Sequence, residues 1–433
     1  MTPTTFSRID PPNAELKSTP SVTLARALFL TVMFVALLVL PDLVFAEESR
    51  VNSGTQDASE GAETPQPRKF TGENPLGVSR AEFGATQLGM DLLYQRKYPE
   101  ALHHFEGMGM DFPDSPVGPI GRALVHQAAM FENYDFSRDR AYQTEVSEFR
   151  ARLAPAQASS RAPEWIRFLN AVYLGVDAMY DIRKKRYVQA FDKAWEALEE
   201  IKRIRRGAPD FKDAELAFGL YNYWRTVITE SVKFLPPFGD RREEGLAQIR
   251  VAREEGLLAA TPASFVLTFS LIEKGDLKAA IAEGERTHRE YPDSLLNQLI
   301  LAQAYRRAQK YDESLAVLKR LLAKHPDVER IWFQIAEAHY KSRKNNLAAR
   351  KAYERYLESE PVDSYKAYTL YRLGQLKSRA RDYDAAIGFY ERAVALEPKF
   401  KRAKKRLEEA RKAKARGDDS RTKKTKVRSR KAD

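Results

Sequence analysis

A proline recurs along this chain at an interval that restricts the folds open to it. Prolines 292, 326, 361 and 398 follow one another at steps of 34, 35 and 37 residues. Upstream of such prolines the same order of side chains returns. Gly89, Ala101, Phe105, Met108 and Pro113 are spaced by 12, 4, 3 and 5 residues, and so are Ala302, Ser314, Leu318, Leu321 and Pro326. Gly374, Ala386, Tyr390, Ala393 and Pro398 repeat the spacing, and Ala280, Thr287 and Pro292 keep its second half. Between these positions apolar residues recur at three and four, which is helical spacing. A period near 34 with that internal pattern describes a pair of helices stacked on copies of itself, and the chain is expected to be all-α.

The spacing has a mechanical reason. Small side chains such as Gly89 and Ala101 let the two helices of a unit, A and B, approach closely. Phe105, Tyr353 and Tyr390 then fill the wedge toward the next unit. Proline ends helix B because it cannot continue the hydrogen-bond ladder. In Pro292-Asp293-Ser294 a short polar side chain is placed to cap the next helix, and Thr261-Pro262 reads as an N-cap followed by N1.

These residues resemble the tetratricopeptide repeat family. Residues 261–400 match over four consecutive units and 77–115 as a first unit. The resemblance implies an α-solenoid whose concave face binds a peptide or protein partner. It also implies which side chains line that face, two before and two after a conserved leucine of helix A. Here these are Thr86 and Met90, Phe265 and Phe269, Leu299 and Gln303, Phe333 and Glu337, and Tyr371 and Gln375. Relatives that clamp a terminal carboxylate carry Lys, Arg and Asn there. This aromatic, apolar and amide set instead suits an extended or helical peptide held by aromatic contact and glutamine hydrogen bonds. The alternative is that several of these aromatics pack internally between units.

Residues 116–260 keep the helical pattern with less regularity. Ala190, Ala194 and Ala197 share one helical face, and the helices look longer. From Gly219 to Gly245 the interval is 26 rather than 12, so an insertion is expected at about 225–240. Its glycine-aromatic run and following Gly239-Asp240-Arg241 weakly resemble a motif of divergent members of the same family. Tyr221, Trp224 and Phe234 there serve either as core or as a binding loop.

The N-terminus bears on location. Ala27 to Leu40 is an uncharged apolar run preceded by Arg8, Lys17 and Arg26 and ended by Pro41. Val44 and Ala46 are small residues at −3 and −1 from a cut before Glu47, the layout of a secretory signal peptide over residues 1–46. An uncleaved anchor over 27–46 is the alternative. Either way Arg26 before the run and Asp42, Glu47 and Glu48 after it favour a body outside the cytoplasm, periplasmic or secreted. Residues 47–76 hold few large apolar side chains and read as a disordered linker.

Charge is concentrated at the other end. The net charge of +12 contains +11 from residues 401–433, so a basic nucleic-acid-binding core is excluded. Residues 401–416 read as a capping helix and 417–433 as a disordered basic tail. Lys423, Lys424, Lys426 and Arg428 are candidates for binding a polyanion or anionic lipid, or merely solubilise the chain.

Little points to catalysis. With no cysteine, thiolate nucleophiles and thiolate zinc sites are excluded. The six histidines form no HExxH pair, and GxSxG, P-loop and GxGxxG motifs are missing. The expectation is a non-enzymatic interaction scaffold of the cell envelope, with no metal or cofactor.

Overall fold

The computed structural model describes residues 74–231 and 239–429, with side chains set out for 74–227 and 239–416. Among them are seventeen α-helices and no strand. They pair as eight A/B units: α1 (Arg80–Tyr94) with α2 (Tyr98–Asp111), α3 (Val117–Asn133) with α4 (Asp139–Ser159), and α5 (Pro163–Arg183) with α6 (Tyr187–Gly207). Units 4 to 6 are α7 (Ala214–Ser231) with α8 (Arg242–Glu255), α9 (Ala260–Lys274) with α10 (Leu277–Glu290), and α11 (Leu295–Arg307) with α12 (Tyr311–Lys324). Units 7 and 8 are α13 (Arg330–Ser342) with α14 (Asn346–Glu358), and α15 (Asp363–Arg379) with α16 (Tyr383–Leu396). The last helix, α17 (Lys401–Ser429), packs on α16.

The spacing read from the sequence has a direct steric cause. A Cβ on Gly374 of α15 would lie 2.6 Å from the ring of Tyr390 on α16, and one on Gly89 would lie 2.4 Å from Phe105. The large ring of helix B occupies the space the glycine leaves open, and Ala386 and Ala101 are fully buried beside it. Helices α2, α10, α12, α14 and α16 each stop two or three residues before their proline. Ser294 caps α11 by accepting the Asn297 N–H. Thr261 does not cap: α9 begins at Ala260, with Thr261 and Pro262 inside its first turn, where proline's missing N–H costs nothing.

Among the described residues, each A-to-B turn holds one residue at positive φ. Gly239 and Gly275 are the glycines among them, whereas Arg96, Tyr134, Lys185, Gln309, Arg343 and Arg381 adopt φ of 57–63° with full side chains. A side chain in this region costs about 1–2 kcal/mol, so the units hold these turns by packing.

Buried residues form three clusters in chain order: units 1–3 through Ala214, Tyr223 to Ala304, and Leu295 to Ala410. Ala190 is buried, Ala194 is exposed and Ala197 lies between them, so only part of that alanine face packs. Tyr223, adjacent to the aromatics picked from the sequence, is fully buried, while Tyr221 and Trp224 are half-buried; Phe234 lies outside the described residues. Residues 1–73, which hold the apolar run and most of the linker, also lie outside them. Helix α17 does not stop at Arg416 but runs on to Ser429. Lys and Arg are good helix formers and the segment has no proline, so its charge does not preclude a helix. Among the described residues no helix is long and apolar enough to cross a membrane.

Candidate functional site

The turns of units 1–3 do not face solvent alone. Three of their positive-φ residues reach units 6–8, more than 200 residues ahead in each case. The Arg96 guanidinium donates to Glu132 at 2.9 Å, to Asp327 at 2.7 Å and to His325 Nδ1 at 3.1 Å. Because arginine has no acceptor, that imidazole nitrogen carries no proton. Burial, then the neighbouring Arg96, hold the His325 pKa below the ordinary value. Tyr134 packs its ring 5.0 Å from Tyr365, and Lys185 pairs with Glu397 at 3.1 Å. Arg330 of α13 donates to the Phe131 carbonyl at the end of α3. Asp91 accepts from Tyr291 at 2.9 Å, and Gln87 donates to the Leu257 carbonyl. The array is thus closed on itself along a seam between its early and late units. Asp213 ties two connectors together near that seam, accepting the N–H groups of Leu257, Leu258 and Ala259 at 2.6–2.9 Å. Burial raises its pKa, and the three donors oppose that rise.

The helix A positions expected to form a groove have unequal fates. Phe333 is 3% exposed, inside a cage of Tyr353, Tyr356, Tyr365 and Tyr368 with ring centroids 5.2–6.2 Å away. Tyr371 is 2% exposed, against Tyr390 and Phe400. Glu337 accepts from Arg372 at 2.9 and 3.2 Å and from the Tyr353 hydroxyl. Gln375 accepts from Tyr340 at 2.8 Å and Arg372 at 3.0 Å, and donates to the Tyr371 hydroxyl. Burial opposes the Arg372 charge, but Glu337 raises its pKa well above the ordinary value. Phe333, Glu337, Tyr371 and Gln375 are therefore core, not open groove. Long side chains reach between helix A of unit 8 and helix A of unit 7, so their facing polar groups satisfy one another. Thr86 and Leu299 are buried too, and Met90 is half-buried.

Phe265, Phe269 and Gln303 differ. All three are half-buried. Phe265 meets Tyr94 of unit 1 edge-on at 6.0 Å, and Phe269 stacks on Trp224 at 5.6 Å. Phe265 and Phe269 are one helical turn apart on α9 and so share a face. This leaves units 5 and 6 as the stretch of helix A face with accessible aromatic and amide groups.

The basic tail residues Lys423, Lys424, Lys426 and Arg428 lie on the backbone of α17, beyond the described side chains. Nearer the body, α17 buries Ala403, Leu407 and Ala410 and exposes Lys401, Lys404, Lys405 and Lys412. Among the described residues no three His, Asp or Glu side chains gather as a metal site.

Paired antiparallel helices of this kind define an all-α solenoid. Tetratricopeptide repeat family models match residues 300–364 and 369–404, so the chain carries tetratricopeptide repeats there. Such arrays are in general protein–protein interaction scaffolds, typically without catalysis of their own. No curated protein sequence matches the chain. Among solved structures, a tetratricopeptide repeat protein from Parabacteroides merdae is 16% identical, over 66% of this chain and 98% of that one, with a TM-score of 0.40. The APC/C hetero-tetramer Cut9–Hcn1 is 15% identical, over 74% of this chain and 54% of that one, with a TM-score of 0.49. Yeast Tom70 is 10% identical, over 78% and 96%, with a TM-score of 0.30.

Proposed function

We propose that the protein is an exported, non-enzymatic scaffold that holds a peptide or protein partner on the helix A face of units 5 and 6. The observation that carries this reading is the contrast in burial along that face. Phe265, Phe269 and Gln303 keep accessible surface, whereas the equivalent groups of units 7 and 8 spend theirs on one another. Rigid aromatic rings with a nearby amide form an anchor of the kind that dominates interface energetics. Export rests on the apolar run and small-residue cleavage pattern of residues 1–46. The test is affinity capture from the envelope fraction with the wild-type chain and with Phe269→Ala/Gln303→Ala. Loss of a captured partner by a variant that is still folded at the assay temperature supports the reading; equal capture by both rejects the site. Sequencing the mature N-terminus decides between cleavage before Glu47 and an anchor retained over 27–46.

A second reading draws on the exposed lysines of α17. Lys401, Lys404, Lys405 and Lys412 have no ion-pair partner among the described residues, and they continue into the basic tail. They suit an anionic lipid surface or other polyanion. Binding of that kind falls steeply with salt and is weakened when residues 417–433 are removed.

A further inference from the structure

The end of α1 is docked on units 5 to 7 through Asp91, Tyr94 and Arg96. Asp91 accepts from the Tyr291 hydroxyl, and Tyr94 meets Phe265 and Tyr291 edge-on. Arg96 reaches the connector between α12 and α13. The last of these contacts is the least well matched. Arg96 donates to His325 Nδ1 at 3.1 Å, so the proton of the neutral imidazole sits on Nε2. That nitrogen is buried and has no acceptor among the described residues. The docked form therefore keeps one N–H unsatisfied, a cost that opening the connector to water relieves.

A second proton on the ring enlarges the mismatch. An N–H on Nδ1 then faces the Arg96 guanidinium, donor against donor and cation against cation. Lys324 adds positive charge, and Asp327 and Asp293 offset it. Glu132 holds Arg96 from the other side at 2.9 Å. Asp327 is already engaged, accepting from Arg96 at 2.7 Å. If it turns to the imidazolium it leaves Arg96, and the seam loses the same contact.

We propose that a proton taken up by His325 unlatches the end of α1 from the later units, so that the seam opens in mild acid. Burial, then Arg96, hold the His325 pKa below the ordinary 6.5 while the latch is closed. The open form takes up the proton first, and falling pH draws the equilibrium toward it. Asp91 and Glu132 act in the other direction. Burial raises the pKa of both carboxyls, so acid favours their docked state. Tyr94 lies two residues before Arg96 and packs on Phe265, so unlatching carries its ring off the aromatic face of units 5 and 6. Stronger partner capture in acid is a consequence that rests on the function proposed for that face; the opening itself does not.

The test measures a distance across the seam in the full chain. The chain has no cysteine, so Lys97→Cys and Ala323→Cys, exposed on opposite sides of the seam, are the only residues to take spin labels. Their separation is read by pulsed electron–electron resonance at about pH 7.5 and about pH 5, on either side of the ordinary histidine value. A longer-distance population should appear at the lower pH while far-UV circular dichroism stays helical. His325→Asn puts an uncharged amide oxygen near the place of Nδ1 and should keep the neutral-pH distance in acid. The Arg96→Gln amide can face either form of the ring and should remove most of the pH-dependent change. The proposal is overturned by a distance that does not respond to pH, or by a response as large in either variant as in the labelled parent. Lengthening accompanied by loss of the helical signal would also overturn it, because that is acid unfolding. Each of these outcomes is read without any partner present.

Discussion

Units 7 and 8 and units 2 and 3 solve the same packing problem with different chemistry. In units 7 and 8 helix A faces are held by rings, and one ion pair, Glu337–Arg372, is enclosed by Tyr340, Tyr353 and Tyr368. In units 2 and 3 the helices lengthen to 17–21 residues, and two buried carboxylates hold them together. Asp177 and Asp181, 3% and 1% exposed, share Lys193 at 2.6 and 2.5 Å. Tyr142 and Tyr173 donate to Asp177, and Arg186 pairs with Asp181. The family models match only the first of these regions. Small-and-large side chains at fixed spacing are visible to a repeat pattern; a polar network that binds helices across units keeps no such spacing.

The largest expected effect separates core from groove. Phe333→Ala should lower stability by about 3–5 kcal/mol in urea unfolding, as loss of an enclosed aromatic does. Phe269→Ala, half-buried, should lose no more than about half of that. If Phe333→Ala unfolds like the wild type and only partner capture falls, the ring is open in solution and the division between units 5–6 and 7–8 collapses.

Next come the two ionic networks. Glu337→Leu leaves Arg372 buried without its carboxylate and should cost about 3–5 kcal/mol. Adding Arg372→Met should recover much of that loss, because no charge is then left buried. Lys193→Met should cost less, because tyrosine hydroxyls and Arg186 still serve Asp177 and Asp181. Equal losses for the two single variants would show that the networks are equivalent.

Glycines distinguish the regions by sign. Gly374→Ala places a methyl 2.6 Å from the Tyr390 ring and should destabilise by about 1–3 kcal/mol. Gly175, within α5, has no packed neighbour within 4 Å of where an alanine methyl would sit, and Gly175→Ala should stabilise by up to about 1 kcal/mol through helix propensity. The same sign at both sites would mean that α5 is packed as closely as α15.

Histidine gives a pH signature to the early units. His126 of α3 is buried, and its pKa is pushed down to about 4, first by burial and then by Arg138 and Arg122. A lowered histidine pKa means that the unfolded chain takes up the proton first. Stability is therefore full above pH 6.5 and is lost as pH falls toward about 4. Unfolding midpoints should drop by about 1–2 kcal/mol between pH 6.5 and 5, and His126→Gln should flatten that slope. A slope unchanged in His126→Gln would assign it to another group.

The smallest effect concerns the seam. Arg96→Gly keeps the positive φ but removes the contacts to Glu132, His325 and Asp327. It should cost about 1 kcal/mol, the scale of partly exposed ion pairs, and raise the radius of gyration in X-ray scattering. Arg343→Gly, at a turn of the same geometry outside the seam, should change neither by more than about 0.5 kcal/mol or experimental error. Identical scattering from Arg96→Gly and wild type would show that the seam does not depend on this arginine.

Local periodicity was enough to read the all-α class, the helix pairs of residues 261–400 and the prolines that follow each helix B there. Each depends on side chains within about 35 residues, and steric size at a fixed spacing is encoded directly in such a window. The tail shows where that reasoning stops short, since lack of apolar periodicity at 417–433 suggested disorder while α17 runs on to Ser429. The turns hid their positive φ because most of them carry Arg, Tyr, Lys or Gln in place of the expected glycine.

Consensus position alone could not sort the groove. Phe265 and Phe333 hold equivalent places in the repeat, yet one meets Tyr94 edge-on with surface to spare and the other lies in a cage of four tyrosines. Which of them remains accessible depends on the side chains that the following helices bring against it: Tyr356 of α14 and Tyr365 and Tyr368 of α15 close over Phe333. The seam is further still from the sequence: Arg96 and Asp327 are 231 residues apart. Small rotations accumulated over five units bring them together, and a sum of that kind exists only in the folded superhelix.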